Sequence, residues 1–260
     1  MKKILAILLA LCMMMAFAAC GANTDETTEA TTTAPTVDAT FGLEDTLPPD
    51  ASTLADEVEV MTYEEYAAAE LEAAVVVEAY VQATQSWWED KITVYAQDAD
   101  GAYFIYEMAC SEEDAAKLTA GTKIRVTGYK GEWAGEVEIM DATFEFVDGA
   151  DTFVAEALDV TDLLGTDDLI KHQNKLVSFK GLTIKKIEYK NGEPGDDIYV
   201  TVAKGEDEYS FCVERYLTDP DTDVYKAVGE LKEGDVVDIT GFLYWYEGVN
   251  THITAVAAAE

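Results

Sequence analysis

Alternation of apolar and polar residues is clearest over Lys91–Gln97 (KITVYAQ). Ile92, Val94 and Ala96 fall on one face, and Thr93, Tyr95 and Gln97 on the other. That period of two predicts a strand. Residues 75–83 (VVVEAYVQA) form a β-branched run before it, and residues 102–108 (AYFIYEM) return across a turn at Asp98, Ala99, Asp100 and Gly101. Upstream, Thr62 and Glu65 have capping-box spacing and predict a short helix carrying Tyr66. Ser111 opens a second helix that ends near Leu118, and residues 123–129 and 137–147 supply two more strands.

The chain then repeats itself. LTAGTKIRVTGY at 118–129 aligns without gaps with LKEGDVVDITGF 113 residues later, at 231–242. The second copy shows strands at 176–189, 198–203, 209–215, 236–244 and 252–256. Its helix is expected to open at Asp219-Pro220 and run to Val228. A helical connector is expected over 160–173. Each copy therefore orders three strands, a helix and two strands. The predicted fold class is mainly β: two tandem OB-fold-like five-stranded Greek-key barrels, each with a helix between strands 3 and 4. Strand order alone does not fix pairing, so another all-β topology stays open.

The runs VVVEAYVQATQSWWEDKITVYAQDADGAYFIYEM and GTKIRVTGYKGEW resemble OB-like modules of bacterial cell-surface lipoproteins of unknown function. They are also similar to OB-like accessory modules of exported bacterial nucleases. The resemblance covers residues 60–145 and, more weakly, 175–256. It implies export and an OB barrel, and carries no set of functional residues with it.

The N-terminus supports export independently. Lys2 and Lys3 precede an apolar run from Ile4 to Phe17, too short for an ordinary span. Phe17, Ala18, Ala19 and Cys20 resemble a lipobox, with Cys20 as the lipidated residue and Phe17 where Leu is usual. The expected division is a signal peptide over 1–19, lipidated Cys20 and a disordered linker over 20–58, and barrels over 59–148 and 149–260. The linker is rich in Thr and acidic residues, lacks Lys and Arg, and holds Pro35, Pro48 and Pro49. The expected location is the extracytoplasmic face of a membrane, held by lipid.

The formal net charge is -35, from 52 acidic against 17 basic residues. Residues 61–150 alone hold 19 acidic and 5 basic residues. This acidity argues against a nucleic-acid partner. The ligand expected is a carbohydrate or a protein. Its candidate site is the aromatic rim of the first barrel: Trp87, Trp88, Tyr95, Tyr103 and Trp133. The same indoles could instead plug the barrel ends, the commoner fate of bulky aromatics. Trp245, Tyr244 and Tyr246 occupy the matching place in the second copy. Two other readings stay open: a nucleic-acid accessory module and a structural envelope spacer.

Nothing marks an enzyme. GxSxG, HExxH and GxxxxGK[ST] are absent, so no catalytic residue, cofactor or metal is expected. His172 and His252 suit a surface or a strand face. Cys110 and Cys212 are expected as separate buried thiols. Asp98 and Asp100 start like a calcium loop but lack its remainder, and suit a tight turn. The zone of Lys171, Lys175, Lys180, Lys185, Lys186 and Lys190 is expected to be a solvated strand face.

Overall fold

A computed structural model describes residues 59–259. The expected signal peptide, Cys20 and the linker lie outside the described residues. No described helix is long and apolar enough to cross a membrane.

The first half runs α1 (Tyr63–Ala68), β1 (Ala74–Thr84), β2 (Lys91–Gln97), β3 (Ala102–Ala109), α2 (Glu112–Ala115), β4 (Lys123–Trp133) and β5 (Glu136–Phe146). The capping box forms: the Glu65 amide donates to Thr62 Oγ1 and the Thr62 amide to Glu65 Oε2. At the other end of α1, Lys130 Nζ donates to the carbonyls of Tyr66, Ala67 and Ala69. A buried ammonium thereby takes up the carbonyls a helix end leaves free.

Strands pair in the order β1-β2-β3-β5-β4 and close between β4 and β1. β3 and β5 run parallel, with Phe104 opposite Glu138. This closed barrel, with its helix between β3 and β4, has the strand order of an OB fold. The barrel is filled by one face of each strand, including Val77, Val94, Ile105, Val126 and Ile139. The Leu118 helix is shorter than expected: only Glu112–Ala115 is helical, capped by Ser111.

The second half runs β6 (Leu158–Asp159), two 3-10 turns (Thr161–Leu163 and Leu169–His172), β7 (Leu176–Tyr189), β8 (Ile198–Lys204), β9 (Asp207–Val213), α3 (Asp223–Glu230), β10 (Val236–Phe242) and β11 (His252–Ala258). These strands form a six-stranded sheet in the order β10-β11-β9-β8-β7-β6, with a further pairing of β10 to β7. Its core includes Phe179, Phe211, Ile198, Val200 and Ile239. The helix starts later than Pro220 suggests. Thr222 is the N-cap, accepting from the Tyr225 amide, because its side chain satisfies an orphan donor that proline cannot. The connector forms 3-10 turns and a two-residue strand in place of a helix.

The repeat has a steric basis. Gly128 in β4 and Gly241 in β10 are equivalent positions, each beside a shift in register. A Cβ on Gly128 would lie 2.7 Å from the Met140 carbonyl oxygen, and one on Gly241 2.2 Å from that of His252. Both bulges need backbones closer than any side chain permits.

Candidate functional site

In an OB barrel the outward face of strands 2 and 3 is the usual ligand platform. Here β2 presents Thr93, Tyr95 and Gln97 outward, and β3 presents Phe104 and Tyr106. The second half covers most of that platform. Tyr95 stacks on Phe242 with ring centroids 4.5 Å apart, and Phe104 meets Tyr244 edge-on at 5.2 Å. The Leu176 amide donates to Gln97 Oε1 at 2.9 Å. Tyr95 and His252 Nδ1 are 2.6 Å apart, and Gln85 Nε2 donates to the same phenol oxygen. The phenol proton is therefore left for Nδ1, which places the imidazole proton on Nε2. Burial pushes His252 down to about 3, so the ring is neutral.

This packing settles where the expected rim residues lie. Tyr95 and Tyr103 are each 1% exposed. Tyr103 points into the barrel against Tyr66, and Tyr95 into the join between the halves. Neither presents surface to a ligand. Trp87 is half-buried against the barrel core, its indole N–H donating to the Cys110 carbonyl at 2.8 Å. Trp88 and Trp133 are 71% and 63% exposed. Trp133 ends β4 and does not stand in a loop, because β4 and β5 extend to a tight turn at Ala134 and Gly135.

What the second half leaves uncovered is a cleft of about 800 Å³. The first barrel lines it with Phe104, Tyr106, Trp133, Glu138 and Met140. Tyr199, Glu214, Tyr244, Tyr246 and Asn250 face them from the second half. Tyr106, Trp133, Tyr199 and Tyr246 are exposed aromatics, so rings line both walls. The lining includes the carboxylates of Glu138, Asp197 and Glu214 and no Lys or Arg. Glu214 accepts from the Tyr216 and Leu217 amides, and Asp197 from Lys190 Nζ. Glu138 is 6% exposed, and burial pushes its carboxyl up to about 7.

Behind Glu138, Glu136 is fully buried at the join. Its Oε2 accepts from the Trp245 amide at 2.7 Å and from Gln173 Nε2 at 3.1 Å, while Oε1 has no partner. Burial outweighs those bonds and raises its pKa to about 9. At neutral pH it is a carboxylic acid, with the proton on the unpartnered oxygen.

A second hollow continues along the same face past Gln85 and Tyr106, which line both. It holds Trp88, Lys91, Arg215 and Tyr216, with Glu89 and Glu107. The Arg215 guanidinium stacks over Tyr216 at 4.9 Å, and Lys91 pairs with Glu107 at 2.8 Å.

The other sequence features are structural. Asp98 Oδ1 accepts from the Asp100 and Gly101 amides, which makes a tight turn. No cluster suited to a metal exists among the described residues. Cys110 and Cys212 are free and buried. Lys171, Lys180, Lys186 and Lys190 each pair with a nearby carboxylate. The sequence places Tyr106 on a strand beside the rim and Tyr244 and Tyr246 in the matching part of the second copy, but it does not single out Glu138 or bring the two walls together. The one signal for Glu138 is that Glu136, Glu138 and Met140 share the outward face of β5.

No family model matches the chain, and no curated protein does. Solved structures similar to it include a murine DNA-binding protein bound to double-stranded DNA (12% identity, TM-score 0.36, covering 71% of this chain and 96% of that one). Another is the Ifi202 HINa domain with 20-base-pair double-stranded DNA (13% identity, TM-score 0.34, covering 72% and 100%). A third is the replication protein A heterotrimer bound to single-stranded DNA (12% identity, TM-score 0.31, covering 77% and 52%). The expectation that acidity argues against a nucleic-acid partner is corrected by where the charges lie. Net charge describes the whole chain and does not fix the charge of one hollow, and Lys91 and Arg215 offset Glu89 and Glu107 beside Trp88. The barrel of the first half rests on its own strand pairings.

Proposed function

We propose that this chain is a binding module, tethered outside the cell membrane through a lipid on Cys20, that holds a saccharide in the cleft between its halves without transforming it. The observation that carries this is the cleft wall itself. Exposed Trp133, Tyr106 and Tyr246 offer flat faces, and Glu138, Asn250 and Ser210 offer polar groups between them. Apolar faces of sugar rings stack on aromatics while their hydroxyls donate to carboxylates and amides. The second half is read as another OB-type barrel. Its pairings β7-β8-β9-β11-β10 and the contact of β10 with β7 support that, as does α3 between β9 and β10.

A second reading is a single strand of nucleic acid laid along the same face. The stretch of Trp88, Tyr216, Arg215 and Lys91 favours it, because bases stack on aromatics and phosphates pair with cations. DNA is the ligand named for several similar structures, and it comes to this chain on the strength of that stretch, not of the likeness.

The test is titration of the purified chain with an oligosaccharide panel and with single-stranded DNA, each against Trp133→Ala and Arg215→Ala. Saccharide binding that weakens at least tenfold in Trp133→Ala and is kept in Arg215→Ala supports the first reading. Salt-dependent DNA binding lost in Arg215→Ala, with no saccharide bound, replaces it with the second.

A further inference from the structure

We propose that the cleft recognises a primary ammonium, so that its saccharide is one carrying an unacetylated amino group. This rests on the saccharide reading above and names the chemistry that selects within it.

One acceptor in the cleft wall is unfilled. Glu138 is 94% buried and lines the cleft, and its carboxylate receives no hydrogen bond or ion pair from any described residue. The neighbouring carboxylates differ: Glu214 and Asp197 are occupied by backbone amides and Lys190. Its oxygens are not among the side-chain atoms sealed from solvent, so the Glu138 carboxyl opens onto the cleft. Burial of the residue makes the charged form costly, and the carboxyl holds a proton up to about pH 7. No Lys or Arg is among the lining residues, so a ligand that carries a cation would displace that proton and supply the donors.

An ammonium suits that vacancy better than a hydroxyl or an acetamide. It brings three donors and a full positive charge, and charge-assisted bonds are about twice as strong as neutral ones. The aromatic rings bordering Glu138 favour the same group. Tyr106 and Tyr244 lie close enough for the Glu138 charge to raise their hydroxyl pKa values, and their faces attract cations. An N-acetylated amine would lose the charge and present a methyl group to a carboxylate.

The test is calorimetric titration of the purified chain with a fully de-acetylated glucosamine trimer and with its N-acetylated counterpart, repeated on Glu138→Gln. The expected result is at least tenfold tighter binding of the amine form. Glu138→Gln should erase that preference and leave the acetylated form within about twofold. Equal affinities for the two trimers on the unaltered chain, a comparison that needs no variant to fold, would overturn the inference and leave the saccharide reading standing. A preference that persists in Glu138→Gln overturns it equally. Trilysine binding as tightly as the amino sugar would remove the sugar from the inference. Failure of every saccharide in the panel removes the saccharide reading and this inference with it.

Discussion

Replacing Glu136 with Gln tests how the two halves are joined. The folded chain keeps Glu136 protonated up to about pH 9, against an ordinary value of 4.5. Between those limits the folded state holds a proton that the unfolded state has released. Stability therefore falls as pH rises through that window, the reverse of a salt-bridged carboxylate. Each pH unit costs about 1.4 kcal/mol, so the loss at pH 7 is about 3 kcal/mol. Glutamine keeps the carbonyl oxygen that accepts from Trp245 and Gln173 and removes the titration. Its NH2 replaces one unpartnered O–H with two donors, a cost that does not vary with pH. The informative quantity is therefore the change in the difference between variant and wild type. Urea unfolding of both proteins at pH 5 and pH 7 should show Glu136→Gln gaining about 2.5 kcal/mol relative to wild type between the two pH values. A difference that stays constant within about 0.5 kcal/mol would mean that Glu136 is hydrated or paired at the join, and would refute the burial argument.

Three further substitutions probe the elements around the cleft. Tyr95→Phe removes the partner of His252 Nδ1 and should cost about 1–3 kcal/mol by thermal unfolding without loosening the barrel core; no loss would mean that water replaces the phenol. Gly241→Ala places a methyl 2.2 Å from the His252 carbonyl oxygen. It should destabilise by more than about 2 kcal/mol, and a neutral result would show that the β10 bulge can open. Lys130→Met frees three carbonyls at the end of α1. Faster hydrogen exchange at residues 63–69 and a loss of about 2 kcal/mol are expected, and unchanged exchange there would separate Lys130 from the helix.

The barrel was legible in the sequence because its strands alternate and its halves repeat. Lys91–Gln97 and Leu176–Tyr189 have the bounds expected, and the capping box at Thr62 forms as its spacing requires. The site was less legible for a physical reason. Alternation separates inside from outside of one barrel, but β2 is buried on both faces because the second half lies on its outer side. Tyr95 thus looked like a rim residue and is part of the join. Trp87 and Trp88 are neighbours in sequence, yet one packs inward and the other stands in solvent, which composition cannot distinguish. Glu138 was hidden by abundance: among 52 acidic residues, one buried carboxylate has no distinguishing mark until the packing around it is known.

The central claim is that a ligand occupies the cleft between the halves. Hydrogen exchange of the chain with and without its tightest-binding saccharide tests it most directly. The account predicts protection confined to 102–109, 131–140 and 244–252, the segments that carry Tyr106, Trp133, Glu138, Tyr246 and Asn250. Protection elsewhere on the chain, with those segments unchanged, would contradict it.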